Sequence, residues 1–247
     1  MAVRLAVLDL DGTLLDGFLA ASMLTALTLR HSDGTEAAHQ ALSAIQAYKS
    51  GVIDHDECAA RFYPSYARAV HGLPAMALDE VGRQAWQQSR PRLFPHATEL
   101  VAMLQERGFL TCLLSGSPEE AVTCAADELN VDRAWGLRLA FDNGRCTGQV
   151  VRAPALPGAK RATLLEATDG LPVNWSGSLA VGDSSADIDV LEMTGTPLAF
   201  EPDPVLRSAA EARNWQVTDR RSILRHCRSR LDEGAPSDDP HGDTPAR

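Results

Sequence analysis

Apolar positions run unbroken from Leu5 to Leu8, resume at Leu10 after Asp9, and stop at Asp11-Gly12-Thr13. Five of the six residues from Leu5 to Leu10 are apolar and a glycine follows shortly, which predicts a buried strand running into a sharp turn. Two later apolar runs also end in small polar residues: Phe109 to Leu114 before Ser115-Gly116-Ser117-Pro118, and Ser178 to Val181 before Gly182-Asp183. Leu198 to Phe200 and Val217 predict further strands, and Gly136 to Phe141 with Thr147 to Val151 predicts a hairpin turning at Asp142-Asn143-Gly144. Between these runs the apolar spacing is helical. It is so from His96 to Arg107 with Gly108 as terminator, from Pro118-Glu119-Glu120 onward, from Lys160 to Thr168, and from Pro204 to Asn214.

Leu14 to Arg90 differs. Little there resembles a buried strand, and Phe18 to Leu29, Glu36 to Lys49 and Asp56 to Val70 show apolar spacings near 3.6, with Asp54 placed to cap the third helix. The expected architecture is α/β: a doubly wound, Rossmann-like parallel sheet with a small helical cap inserted after the first strand. The core takes residues 1–15 and 91–232, the cap 16–90, and the aperiodic Gly, Pro, Asp and Ser stretch 233–247 is expected to be a disordered tail.

Composition narrows the partners. A net charge of −10 argues against nucleic acid and offers no basic patch to an anionic membrane. Five unclustered cysteines (Cys58, Cys112, Cys124, Cys146, Cys227) suit free thiols in a reducing compartment better than a disulfide frame or a zinc site. No cationic stretch precedes an apolar N-terminal segment and no apolar run nears the ~20 residues of a membrane span, so the chain reads as cytoplasmic. His31, His39, His55, His71 and His96 have no ligand spacing to the carboxylates and are expected at the surface.

Chemistry concentrates at the strand ends. In an open α/β sheet ligands bind at the carboxyl edge, where Asp9 and Asp11 stand. Side chains at i and i+2 share a face, and two carboxylates ~4 Å apart repel by about 4 kcal/mol at an effective dielectric of 20. A hard divalent cation such as Mg2+, held by carboxylates and substrate phosphate, offsets this; taken alone the pair also fits an acidic turn. Ser115, Lys160, and Gly182-Asp183 with Asp187 follow in order, and together these types suit phosphoryl transfer: a carboxylate nucleophile, a second carboxyl as acid and base, and donors and cations for the phosphoryl oxygens. A helix opening after Gly182 would put Asp183 and Asp187 on one face. Singly, Ser115 also fits a turn and Asp187 a solvated helix acid. Lys160 is more telling, because only it and Lys49 are lysines among 23 basic residues.

Asp9-Leu10-Asp11-Gly12-Thr13-Leu14, Ser115-Gly116, Lys160 and Gly182-Asp183-Ser184-Ser185-Ala186-Asp187 resemble, in order, the four motifs of the haloacid dehalogenase superfamily of aspartate-nucleophile phosphatases. Asp142-Asn143-Gly144 followed by Thr147-Gly148 resembles its phosphoserine-phosphatase-like branch. The resemblance implies Asp9 as nucleophile and Asp11 as general acid and base. It implies Mg2+ on Asp9, the main-chain carbonyl of Asp11, and Asp183, with Asp187 behind them or holding Lys160. Substrate phosphate would meet Asp11, Gly12, Ser115, Gly116 and Lys160. The expected activity is Mg2+-dependent hydrolysis of a small phosphorylated metabolite through an aspartyl-phosphate. A phosphomutase or other phosphotransferase on the same chemistry is the alternative, and a receiver-type phospho-switch fits the residue types but not their spacing. Where that branch carries an acidic residue for the substrate's amino acid portion, Phe18 stands here, which argues against phosphoserine. On the cap, Arg61 and Arg68 could meet an anionic group, and Tyr63 or Tyr66 could line the pocket.

Overall fold

Arg4–Leu8 forms the first strand, β1, and takes the centre of a seven-stranded sheet. A computed structural model describes residues 2–30 and 34–233 of the chain. After β1 come four helices, α1 (Leu19–Arg30), α2 (Thr35–Lys49), α3 (His55–Val70) and α4 (Ala75–Ser89). Then follow α5 (Ala97–Glu106), β2 (Phe109–Pro118), α6 (Glu119–Leu129), β3 (Arg133–Asp142), β4 (Arg145–Arg152), α7 (Ala159–Ala167) and β5 (Leu179–Gly182). The chain closes through α8 (Ile188–Met193), β6 (Thr196–Phe200), α9 (Pro204–Ala212), β7 (Gln216–Thr218) and α10 (Ile223–Glu233).

The strand order is β4-β3-β2-β1-β5-β6-β7, with every pairing parallel except the β3–β4 hairpin. Successive strands step to one side of β1 and then, from β5, to the other, so the order reverses between β1 and β5. A ligand crevice is expected outside the strand ends at such a reversal. Register sets what lies there: Leu8 is level with both Leu113 of β2 and Val181 of β5, so the residues that follow each strand meet at one height.

Strand alternation divides the core. Leu5 and Val7 join Leu164, Val190, Leu191 and Leu206 on one face. Ala6 and Leu8 join α5, α6 and the apolar faces of α1 to α4 on the other, so the helical segment shares one continuous hydrophobic cluster with the sheet. Among the described residues no helix is long and apolar enough to cross a membrane.

Sequence and structure differ at several places. β2 continues through Ser115 to Pro118 beyond the expected end at Leu114, with an irregular register against β3 over those residues. α4 and α10 were not singled out by periodicity. α4 buries Leu78, Val81, Ala85 and Trp86 against neighbours distant in sequence, and Trp86 Nε1 donates to Glu128 of α6 at 2.8 Å. His96 is 3% exposed, not at the surface: its Nε2 lies 3.1 Å from the Thr13 carbonyl and its ring stacks on Phe94. His55 is also largely covered, whereas His39 and His71 are exposed and His31 lies outside the described residues. Of the expected tail, Glu233 still belongs to α10, and residues 234–247 lie outside the described residues.

Candidate active site

Asp9 leaves the end of β1 with its N–H bonded to the Val181 carbonyl at 3.0 Å, which fixes it between β1 and β5. The chain then turns over the Leu10 carbonyl, which accepts from the N–H groups of Thr13, Leu14 and Leu15. Gly12 has φ +88°, and a Cβ there would fall 2.1 Å from Asp183 Oδ2, so both backbone conformation and close approach require glycine.

Lys160, in the first turn of α7, is 4% exposed and reaches both sides of the site. Its Nζ donates to Asp9 Oδ1 at 2.6 Å and to Asp187 Oδ1 at 2.5 Å. Burial alone would lower its pKa, but the two carboxylates outweigh burial and hold it above the ordinary ammonium value. Asp187 is therefore no solvated acid. Its other oxygen accepts from the backbone N–H groups of Asp183 and Ser184 and from Ser184 Oγ, closing a capping box over a short 3₁₀ turn, Ser185–Asp187. Asp183 lies before that turn, so the two acids converge through the cap rather than along one helix face.

Asp9, Asp183 and Asp187 each offer an oxygen within 4.8 Å of the others. Burial pushes the Asp9 carboxyl up to about 7 against the pull of Lys160, and burial together with Asp9 and Asp187 pushes Asp183 well above the usual carboxylate range. Thr13 Oγ1 donates to Asp183 Oδ1 at 3.1 Å. The donor set is all hard oxygen, and three acids face one lysine, which is the imbalance a divalent cation would neutralise.

Asp11 faces away from that cluster. Its Oδ1 accepts from the Leu19 N–H at the start of α1 at 2.6 Å; its Oδ2 accepts from Ser117 Oγ at 2.6 Å and Ser115 Oγ at 3.0 Å. Burial raises its pKa in spite of these three donors. Ser115 is fully buried and bonded to Asp11, while Gly116 and Ser117 line the adjoining cavity together with Asp9, Asp11, Lys160 and Asp183. Ser117 and Thr13 were missed by sequence reading; the i, i+2 relation of Ser117 to Ser115 was the available signal. On the helical side Tyr63 lines the cavity, its Oη accepting from the Ala155 N–H at 2.7 Å, whereas Tyr66 is buried against Phe62 outside it. Arg61 and Arg68 are exposed; Arg61 pairs with Glu57, and Arg68 donates to Gln40 and Ser65.

The chain is similar to known proteins over most of its length. The chain is 30% identical over 209 residues to the phosphoserine phosphatase SerB2 of Mycobacterium tuberculosis, covering 85% of this chain and 47% of that protein. It spans about half the length of that relative and of matched phosphoserine phosphatases from Archaeoglobus fulgidus and Streptomyces coelicolor. A Bordetella pertussis Tohama I protein with unknown function superposes with a TM-score of 0.71 at 25% identity, covering 89% of this chain and all of that one. The phospho-aspartyl intermediate analogue of a phosphoserine phosphatase superposes at 0.65 with 20% identity, covering 92% and 99% of the two chains, a likeness of fold. The family model described as haloacid dehalogenase-like hydrolase matches residues 6–192, a stretch that runs from β1 past Asp187. This chain belongs to the haloacid dehalogenase-like hydrolases and is phosphoserine-phosphatase-like among them.

Proposed function

We propose that the chain is a Mg2+-dependent phosphatase that hydrolyses a small-molecule phosphomonoester through an aspartyl-phosphate on Asp9. The observation that carries this is the placement of Asp9: buried at the sheet's reversal point, bonded through one oxygen to Lys160, and bordering the cavity. The named relatives support the phosphatase class. Asp9 attacks phosphorus as the ester bond to the leaving group breaks. Asp11, two residues on, gives a proton to the departing alkoxide and then takes one from the water that cleaves the Asp9–phosphoryl bond. Lys160 orients Asp9 and offsets phosphoryl charge, with the backbone of Gly12 and Gly116 as further proposed phosphate contacts; the Ser115 hydroxyl, buried and donating to Asp11, would reach phosphate only by giving up that bond. Asp9, the Asp11 carbonyl and Asp183 would hold Mg2+, and Asp187 would fix Lys160. Bound Mg2+ would supply charge neutralisation at the transferring group.

The segment 16–90 is the proposed cap over a core of 1–15 and 91–232. Nine residues of that segment border the cavity, among them Phe18, Ile45, Tyr48, His55, Phe62 and Tyr63, which supports a role in choosing the leaving group. A phosphate-release assay over phosphorylated metabolites, with and without Mg2+, for wild type and Asp9→Asn, tests the reading. Metal-dependent release lost in the variant is expected. No release from any ester would overturn it and favour a phosphomutase that needs an acceptor.

A further inference from the structure

We propose that Tyr63 of α3 is a positioning residue for Asp11, acting through the peptide that joins Gly116 to Ser117; the role rests on the phosphatase reading above. Tyr63 is buried, and together with Gly116 and Ala155 it borders the cavity that holds Asp9, Asp11, Lys160 and Asp183. Its Oη donates to the Gly116 carbonyl at 3.4 Å and accepts from the Ala155 N–H at 2.7 Å. Burial raises the phenol's pKa, so the hydroxyl keeps its proton and serves both partners at once.

What those partners lead to sets the role. The Gly116 carbonyl and the Ser117 N–H belong to one planar peptide unit. Tyr63 holds its oxygen, and its N–H donates to Ser115 Oγ at 3.0 Å. The hydroxyls on either side, Ser115 and Ser117, both donate to Asp11 Oδ2. A rotation of that peptide therefore moves both donors, and with them the carboxyl they hold. The register of β2 against β3 shifts between Leu114 and Pro118, so the sheet ladder is interrupted where this peptide lies. Little slack remains on the other side: a Cβ at residue 116 would fall 2.7 Å from Ala155 Cβ and 3.2 Å from Tyr63 Oη. Attachment of α3 does not depend on this hydroxyl. Just past the helix end, the Gly72 and Ala75 N–H groups donate to the Cys146 and Gly144 carbonyls at 2.8 and 3.0 Å. Tyr66, three residues on, supplies the contrast, because its Oη is buried with no hydrogen-bond partner among the described residues.

The test measures kcat/KM with Mg2+ for wild type, Tyr63→Phe and Tyr66→Phe on two esters of similar shape, phenyl and p-nitrophenyl phosphate. Tyr63→Phe keeps the ring and its edge-on contact with Phe62 and deletes only the hydroxyl. Phenoxide is the poorer leaving group and depends more on a proton from Asp11. Tyr63→Phe should therefore lower kcat/KM about tenfold for phenyl phosphate and no more than about threefold for p-nitrophenyl phosphate. Tyr66→Phe should match wild type on both. A hydroxyl that only braced the helix would, when lost, slow the two esters alike. Equal losses, a loss shared by Tyr66→Phe, or a Tyr63→Phe enzyme as active as wild type would each overturn the proposal, while turnover by the wild type leaves the phosphatase reading standing. No turnover of any ester by the wild type, p-nitrophenyl phosphate included, would overturn both.

Discussion

Ser117 Oγ donates to Asp11 Oδ2 at 2.6 Å while accepting from the Ala20 N–H at 2.9 Å, so one hydroxyl on β2 ties the proposed acid and base to the first turn of α1. Ser115 Oγ and the Leu19 N–H complete the set of donors on that carboxylate. Ser117→Ala removes the shortest hydroxyl contact and leaves the others. A hydrogen bond to a charged group contributes about 1.5–3 kcal/mol, so kcat should fall by roughly tenfold or more with KM little changed. Steady-state kinetics check this, and an unchanged kcat would remove Ser117 from the positioning of Asp11.

Gly182 ends β5 where the Asp187 side chain folds back over it; a Cβ at residue 182 would lie 2.2 Å from Asp187 Cγ. Gly182→Ala must displace Asp187 and loosen its bond to Lys160. Overpacking of this kind costs about 1–3 kcal/mol, or roughly 3–10 °C in Tm for a chain of this size. Differential scanning calorimetry reads the change, and a variant melting with wild type would show that Asp187 can yield without cost.

Metal binding has a readout independent of turnover. A ligand at 100 times its Kd stabilises the native state by about 2.7 kcal/mol, so saturating Mg2+ should raise Tm by roughly 5–10 °C over a chelator-treated sample. Asp183→Asn should lose most of that increment. Equal melting of the wild type with Mg2+ and with chelator would count against the site.

Glu120, in the first turn of α6 beside α4, has its carboxyl raised to about 7, first by burial and then by Glu119 and Asp79. A carboxyl raised on folding binds its proton more tightly in the native state. Its contribution is therefore fully present below about 4.5 and is lost as pH rises through about 7. Glu120→Gln should remove that slope, melting a few degrees above wild type at pH 8 and converging with it near pH 5. Tm measured across pH 5 to 8 decides it, and a difference independent of pH would refute the assignment.

Much of the fold was legible because it is written in local pattern. Leu5 to Leu8, Phe109 to Leu114 and Leu179 to Val181 are short apolar runs closed by polar turns, and Asn143-Gly144, with φ +47° and +75°, turns the β3–β4 hairpin as its residue types require. Asp54 caps α3 by accepting from the Glu57 N–H, a relation contained within four residues. Asp9, Asp11, Lys160, Asp183 and Asp187 could be singled out because strand ends converge in a parallel sheet. What sequence could not supply were relations between residues far apart in the chain. Ser117 and Thr13 were missed because their partners, Asp11 and Asp183, stand 106 and 170 positions away. His96 looked like a surface residue until Phe94, Phe200 and the Thr13 carbonyl enclosed it. The succession of strands and helices along the chain and the types of reacting groups thus followed from sequence by itself, whereas the spatial order of the strands came from the structure. Which oxygen meets which donor was decided by tertiary packing, since burial and partner geometry depend on elements that sequence periodicity treats as independent.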